Sequence, residues 1–254
     1  MLKIENLTKH FGGIKAVQNF DMQVSEQEIV GIIGPNGAGK STILNLISGV
    51  TKTDTGHVYF ENKEITRLNQ YQISRMGLAR TFQNIRLFKG LSCIENIKVA
   101  RDCRISYNLI EALLSFPKAL KTEKNMEKES LKFLKLVGLE KHNDIKPGNL
   151  PYGLQRKLEI ARALFTQPKI LLLDEPAAGL NTAEVIDLVR LINQIFHEFK
   201  ISIVLIEHKM EVINELCDVV YVLNFGNTIA KGTYNEIQSN KDVLEAYLGG
   251  GDNA

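Results

Sequence analysis

Lys40, Ser41, Asp174 and Glu175 are the residues whose types and settings point most directly to chemistry. The first two sit in the stretch Gly34-Pro35-Asn36-Gly37-Ala38-Gly39-Lys40-Ser41-Thr42, which satisfies G-x-x-x-x-G-K-[ST] at every fixed position. Glycines at this spacing let backbone amides close around phosphate oxygens. A lysine placed as Lys40 is reaches the β- and γ-phosphates of a nucleoside triphosphate, and a hydroxyl placed as Ser41 is can bind Mg²⁺. Much later, Ile170-Leu171-Leu172-Leu173 runs into Asp174-Glu175. An acidic residue ending such a strand reaches the Mg²⁺ of a phosphate-loop nucleotidase, a role that suits Asp174, and Glu175 can orient or deprotonate the attacking water. That puts hydrolysis, not phosphoryl transfer to a second substrate, at the site. The bland alternatives are a chance glycine-rich turn and an acidic pair that merely starts a loop.

The flanking segments bear on that choice. Ile29 to Ile33 reads as a buried strand, and Ile43, Leu44 and Ile47 share one helical face that Gly49 can end. Strand, glycine-rich turn and helix is the setting that the phosphate loop requires, and the helix N-terminus adds its own amides and dipole. Ile170 to Leu173 is apolar on both faces, as a central strand must be, so its carboxylates emerge where such sheets bind ligands.

Around this core the pattern predicts further elements. Leu2 to Leu7 reads as a short strand whose beat Asn6 breaks, Thr8 to Gly13 as a turn carrying Phe11, and Val17 to Val24 as a strand. Val58 and Phe60 continue the strand pattern, with Asn62-Lys63 turning a hairpin. These antiparallel pieces exceed what a purely parallel sheet would show. Thr66 to Ile73 is at best a short polar helix, and Leu78 to Gln83 is an apolar run ending in an amide. From Cys93 to about Lys146 the signal is helical: Leu109, Ile110, Leu113 and Leu114 share a face, Pro117 interrupts, and Leu131, Leu134 and Val137 resume before Gly138 caps. Pro147 to Gly153 is a loop, and Gln155 to Phe165 a helix. Val185, Leu188, Val189, Ile192, Ile195, Phe196 and Phe199 make a long helical stripe. Ile201 to Ile206 is a buried strand ending at Glu207-His208, followed by a helix over Met210 to Cys217 and strands over Val219 to Leu223 and Thr228 to Ala230. Gly249 to Ala254 reads as a frayed end.

Composition narrows the class. The chain has 254 residues, 44% hydrophobic and 24% charged, with a net charge of +2, so no nucleic-acid surface is implied. No apolar run approaches a membrane span, and Met1 to Lys9 carries no leader-type apolar core. Cys93, Cys103 and Cys217 are too few and too scattered for a disulfide framework and are expected as free thiols. His10, His57, His142 and His197 have no ligand spacing, and the charge-rich stretch Lys118 to Lys132 reads as a solvated helical face.

Over essentially its whole length the chain resembles the ATP-binding subunits of ATP-binding-cassette (ABC) transporters, and more narrowly the larger ATPase subunit of high-affinity branched-chain amino acid importers. The motifs that carry the resemblance are Ala79-Arg80-Thr81-Phe82-Gln83-Asn84-Ile85-Arg86-Leu87-Phe88, the stretch from Asn149 to Leu164, Leu173-Asp174-Glu175-Pro176-Ala177-Ala178-Gly179-Leu180-Asn181, and Ala246-Tyr247-Leu248-Gly249. The resemblance implies an α/β phosphate-loop fold of the ABC type: a mixed core sheet with an antiparallel β subdomain and an inserted helical subdomain. It implies one nucleotide-binding domain over 1–254, with the core at 1–88 and 160–254 and the helical lobe at 89–159. ATP and Mg²⁺ are the cofactors it implies. Phe11 matches the aromatic that stacks on adenine. Gln83 matches the glutamine that senses Mg²⁺ and γ-phosphate, and His208 the switch histidine on γ-phosphate. Gly34 to Thr42 bind the nucleotide, with Ser41, Gln83 and Asp174 on the metal. Leu150, Pro151, Tyr152, Gly153, Leu154 and Gln155 match the signature loop that acts on the partner subunit's nucleotide, and Asn181 lies in the loop crossing between subunits.

The implied partners are a second ATPase subunit (a second copy when isolated), two permease subunits, and indirectly a periplasmic or extracellular substrate-binding protein, with no nucleic acid. The implied place is the cytoplasmic face of the plasma membrane. Competing readings are an importer of another small solute, a lipopolysaccharide exporter, a repair or translation ATPase, and a silent scaffold. A repair or translation ATPase usually carries a coiled-coil insertion or tandem cassettes, and a silent scaffold would lack Lys40 or Glu175. Two departures from the general pattern stand out: Pro151 replaces the signature serine, so no serine hydroxyl reaches γ-phosphate, and Asn181 replaces an aspartate.

Overall fold

The computed structural model describes residues 1–102 and 116–248. The expected stripe at Leu109, Ile110, Leu113 and Leu114, together with Cys103 and the tail from Gly249, lies outside the described residues. The chain divides into two compact units, one formed by 1–83 with 169–254, the other by 84–168. The divisions fall later than 159/160 and earlier than 88/89, because the helix over Tyr152–Phe165 stays whole and packs on the helices of its own unit.

The strands are β1 (Leu2–Phe11), β2 (Ile14–Val24), β3 (Ile29–Ile33), β4 (Thr55–Phe60), β5 (Lys63–Glu64), β6 (Leu78–Arg80), β7 (Ile170–Asp174), β8 (Ser202–Ile206), β9 (Val219–Asn224) and β10 (Asn227–Gly232). All belong to the first unit. They form an antiparallel sheet in the order β2-β1-β4-β5 and a mixed sheet in the order β10-β9-β3-β8-β7-β6. In the mixed sheet β9, β3, β8, β7 and β6 pair in parallel, and β10 runs antiparallel to its neighbour β9. Every residue of β3, β7 and β8 is buried. Each Leu or Ile so placed contributes about 1.5–3 kcal/mol, which is why these apolar runs become the middle of the sheet. Phe20, Phe60, Ile43, Leu44 and Leu172 belong to a core cluster that takes in residues of both sheets and of the first helix.

The helices are α1 (Lys40–Ile47), α2 (Gln70–Met76), α3 (Cys93–Asp102), α4 (Phe116–Leu136), α5 (Tyr152–Phe165), α6 (Thr182–Phe199), α7 (Met210–Leu216), α8 (Tyr234–Gln238) and α9 (Lys241–Leu248). The second unit holds α3, α4 and α5. There Asn96, fully buried, donates to the carbonyls of Phe88, Leu91 and Ser92 and accepts from the Phe88 amide, which fixes the loop before α3.

Several elements differ from the sequence expectation for identifiable reasons. The first strand runs on to Phe11, because Asn6 adopts φ 49° in a bulge and pairing resumes at Leu7. The turn is therefore only Gly12-Gly13. The next hairpin turns at Glu61-Asn62, both with positive φ, one residue before Asn62-Lys63. The helix expected from Thr66 starts at Gln70, where Asn69 and Gln72 form a capping box. The interruption expected at Pro117 adjoins the undescribed stretch 103–115, and α4 is described from Phe116 onward. Gly138 takes φ 72° beyond α4, and the Leu139 amide donates to the Leu134 carbonyl at 2.7 Å, closing that helix. The chain after β10 forms α8 and α9, the former announced by Thr233 and Glu236 as a capping box.

Asn181 is the N-cap of α6: its side chain accepts from the Glu184 amide, and Glu184 accepts from the Asn181 amide, both at 3.0 Å. Asn181→Ala should cost about 1 kcal/mol and lower the melting temperature of the isolated chain by about 2–4 °C. Asn181→Asp should be neutral, and an unchanged melting temperature in the alanine variant would remove the capping role.

Candidate active site

The loop between β3 and α1 is shaped by two backbone approaches. A Cβ on Gly34 would stand 2.1 Å from the Leu223 carbonyl oxygen, and one on Gly39 would stand 2.2 Å from that of Ala16; both glycines also have positive φ. No other residue fits either position. The Lys40 ammonium folds back onto the loop, donating to the carbonyls of Gly34 at 2.8 Å and Pro35 at 2.9 Å. Burial pulls its pKa below the usual lysine range, and the Glu175 and Asp174 carboxylates oppose that shift. Ser41 Oγ lies 3.5 Å from Asp174 Oδ1. A hydroxyl and a carboxylate are the hard oxygen donors that suit Mg²⁺ held jointly with phosphates, so the residues fit that ion and a nucleotide.

Glu175 is where the separate expectations converge. Its backbone takes φ 48° at the end of β7. Gln83, three residues past β6, donates through Nε2 to Glu175 Oε2 at 2.8 Å, and His208, two residues past β8, donates through Nε2 to Oε1 at 2.8 Å. The three side chains come from the C-terminal ends of three adjacent parallel strands. Gln83 and Glu175 line a cavity of about 370 Å³ with Asn36 to Thr42, Ile14 to Ala16 and Phe225. A larger cavity of about 750 Å³, lined by Lys52 to His57, Glu64 and Thr66 to Leu68, shares none of these side chains. The donors, not the volume, identify the site.

Other expected residues are placed differently. Phe11 is half exposed with the Lys9 ammonium 5.4 Å from its ring centre, and it is not among the side chains lining the cavity. In the second unit, Pro151 is the N-cap of α5 with no side-chain cap. Tyr152 is exposed and its hydroxyl accepts from Arg156 at 3.2 Å; Gln155 donates to the Leu150 carbonyl at 2.9 Å; Gly153 is buried. Arg156 and Glu159, both almost fully buried, pair at 2.9 Å beneath them.

Two functional neighbours escaped the sequence reading. Arg80 pairs with Asp174 Oδ2 at 2.9 Å and donates to Asn45 Oδ1 and Ser48 Oγ, each at 2.8 Å. The side chains of this pair are only 5% and 4% exposed. Glu207, beside His208 and buried, accepts from the Ala177 amide at 2.6 Å and the His208 amide at 3.1 Å. Burial raises its pKa, the amide bonds oppose the rise, and Glu175 adds to it. A charged residue next to a motif was the only signal for either.

Comparison with known proteins follows this geometry. Residues 17–178 match the family model described as "ABC transporter", and residues 227–253 match "Branched-chain amino acid ATP-binding cassette transporter". The high-affinity branched-chain amino acid transport ATP-binding protein LivG of Escherichia coli K12 is 41% identical over 249 residues, 98% of either chain. BraF of Pseudomonas aeruginosa, of the same description, is 40% identical with the same coverage. Among solved structures, the ADP conformation of MJ1267, an ATP-binding cassette of an ABC transporter, superposes with TM-score 0.85 at 33% identity, covering 98% of both chains.

Breaking a buried ion pair by removing one partner costs about 3–5 kcal/mol. Arg80→Met should lose that much in urea unfolding without nucleotide; a loss below about 1 kcal/mol, the range of an exposed pair, would show that the pair does not hold Asp174.

Proposed function

The chain belongs to the ABC transporter family, and on that premise we propose that it is the ATP-hydrolysing subunit driving import of branched-chain amino acids through a membrane permease. The observation that carries the hydrolytic part is Glu175 held between Gln83 and His208, directly after Asp174. In this reading Gly34 to Thr42 wrap the phosphates and Lys40 turns from its loop carbonyls to the β- and γ-phosphates. Ser41, Asp174 and Gln83 would hold Mg²⁺, which when bound neutralises charge on the phosphate oxygens. Glu175 orients the attacking water and accepts its proton, and His208 holds the carboxylate in place and contacts γ-phosphate. Phe11 does not line the cavity and would have to turn onto it to stack on the adenine, the role that its place in the family pattern gives it.

The transport part is supported by the likeness to LivG and BraF over nearly the full chain. Among the described residues no helix is long and apolar enough to cross a membrane, so the energy of hydrolysis reaches the solute through other subunits. These are two permease subunits, a second ATPase subunit and, beyond the membrane, a solute-binding protein, with this chain on the cytoplasmic face. The loop that Asn96 braces, with Phe88 half exposed on it, suits the permease contact. Tyr152 and Gly153, at the start of α5, carry first-turn amides suited to the partner's nucleotide.

In the transporter reconstituted in vesicles, Glu175→Gln should leave ATP affinity unchanged and lower steady-state ATPase by about 10²–10⁴-fold, the scale of general-base catalysis. Leucine uptake should fall with it. Undiminished phosphate release would remove Glu175 from the reaction. Normal ATPase without stimulated uptake of leucine, isoleucine or valine would keep the ATPase and reassign the solute.

A further inference from the structure

Among the described residues the two most exposed large apolar side chains are Phe225, 79% accessible, and Ile14, 72%. Both line the phosphate-loop cavity. Elsewhere a lone exposed apolar residue needs no explanation, but the two extremes meeting at one cavity do.

The backbone under Phe225 sharpens the point. Phe225 and Gly226 are the two residues joining β9 to β10, with φ 43° and 79°. A turn with both central residues left-handed favours Asn, Asp or Gly, and a bulky side chain there is an outlier. The turn is nonetheless held rigidly. The Gly226 amide donates to the Ala38 carbonyl of the phosphate loop at 3.0 Å, and the Gln18 amide donates to the Gly226 carbonyl at 2.8 Å. Gln18 Nε2 donates to the Phe225 carbonyl at 3.4 Å, and a Cβ on Gly226 would meet the Lys15 carbonyl oxygen at 2.8 Å. The ring is therefore carried at a set distance from the phosphate cradle, in an unfavourable backbone state, with most of its surface in water. Strain kept at a ligand cleft points to a role in binding.

We infer that Phe225, with Ile14, forms an apolar wall against the nucleobase of the bound nucleotide. This rests on reading the cavity as the ATP site. The cavity's polar end is built for phosphate by Lys40, Ser41 and the loop amides. A flat ring and a branched aliphatic side chain suit a planar heteroaromatic base, which stacks on either. The wall is separate from Phe11, which does not line the cavity.

The test is calorimetric titration of the full chain, with Mg²⁺, against ATP and against inorganic tripolyphosphate, which has no base. Phe225→Asn suits the left-handed turn, so its melting temperature without nucleotide should equal or exceed that of the natural chain. It should bind ATP about tenfold more weakly, within the range of one lost stacking contact, with tripolyphosphate unchanged. Phe225→Trp should keep ATP affinity, and Ile14→Ala should weaken ATP alone. Unchanged ATP affinity in Phe225→Asn overturns the inference, and so does an equal loss for both ligands, which would mean that Phe225 only shapes the loop. Failure of the natural chain to bind ATP would instead overturn the reading of the site itself.

Discussion

The Arg80–Asp174 pair is the interaction through which the first unit brings Asp174 to Ser41. One guanidinium on β6 reaches Asp174 on β7 and, on its other side, Asn45 of α1 and Ser48 at its C-cap. Removing two charges from water costs several kcal/mol per ion unless the remaining hydrogen-bonding capacity is met, and here the helix supplies much of it. The consequence is directional. With Oδ2 engaged by Arg80, the Asp174 carboxylate presents Oδ1 toward Ser41. The same residue sets the edge of the sheet: β6 is only three residues long, and the Thr81 amide extends its pairing by donating to the Leu172 carbonyl at 2.9 Å. Gln83 follows two residues later, so its reach to Glu175 depends on a register that the ion pair locks.

A second constraint acts on the other side of Glu175. Its left-handed backbone is unfavourable for a residue with a Cβ, and such a state persists only when neighbours over-determine it. The Glu175 amide donates to the Ile206 carbonyl at 2.9 Å, and Ala178 donates back to the Glu175 carbonyl at 3.1 Å. Glu207 then binds the Ala177 amide, and the Lys209 ammonium reaches the Leu180 carbonyl at 3.0 Å. These contacts tie the loop after β7 to the loop after β8, so Glu175 and His208 are presented as one piece. The stretch ending at Asn181 is fastened at its far end by the cap of α6.

How much of this could be read from residue order depended on whether the signal was local. The phosphate loop, the apolar runs of β3, β7 and β8, and the stripe of α6 each carry their information within a few residues, and they fold as the pattern predicts. The continuation of β1 past Asn6 does not, because a bulge depends on the partner strand rather than on the residue that breaks the beat. The start of α2 shifted because a capping box decides it, and that of α5 because the Pro151 backbone does, neither being marked by apolar periodicity. Arg80 and Glu207 were beyond local pattern altogether. Each is one charged residue at the end of an apolar run, and its significance appears only when strands far apart in sequence pair side by side. Phe225 is similar: no local pattern singled it out, and only the fold shows it standing in water beside the phosphate loop.

At the start of α5 the hydrogen-bond donors lie on the backbone rather than on a side chain. Pro151 brings no hydroxyl, and as a proline it has no amide to give. Its fixed φ, here −52°, nevertheless pre-sets the entry of α5, which begins at Tyr152 rather than at Gln155. The amides of Leu154 and Gln155 both donate to the Pro151 carbonyl. Tyr152 and Gly153 precede any carbonyl of their own helix that could accept from them, so their amides are the donors left at its start. The buried Arg156–Glu159 pair, with Arg156 also bonded to the Tyr152 hydroxyl, holds that first turn in place. A serine in this position would offer one rotatable donor; the proline instead offers a stiffened helix start whose remaining donors and positive dipole end are fixed in direction.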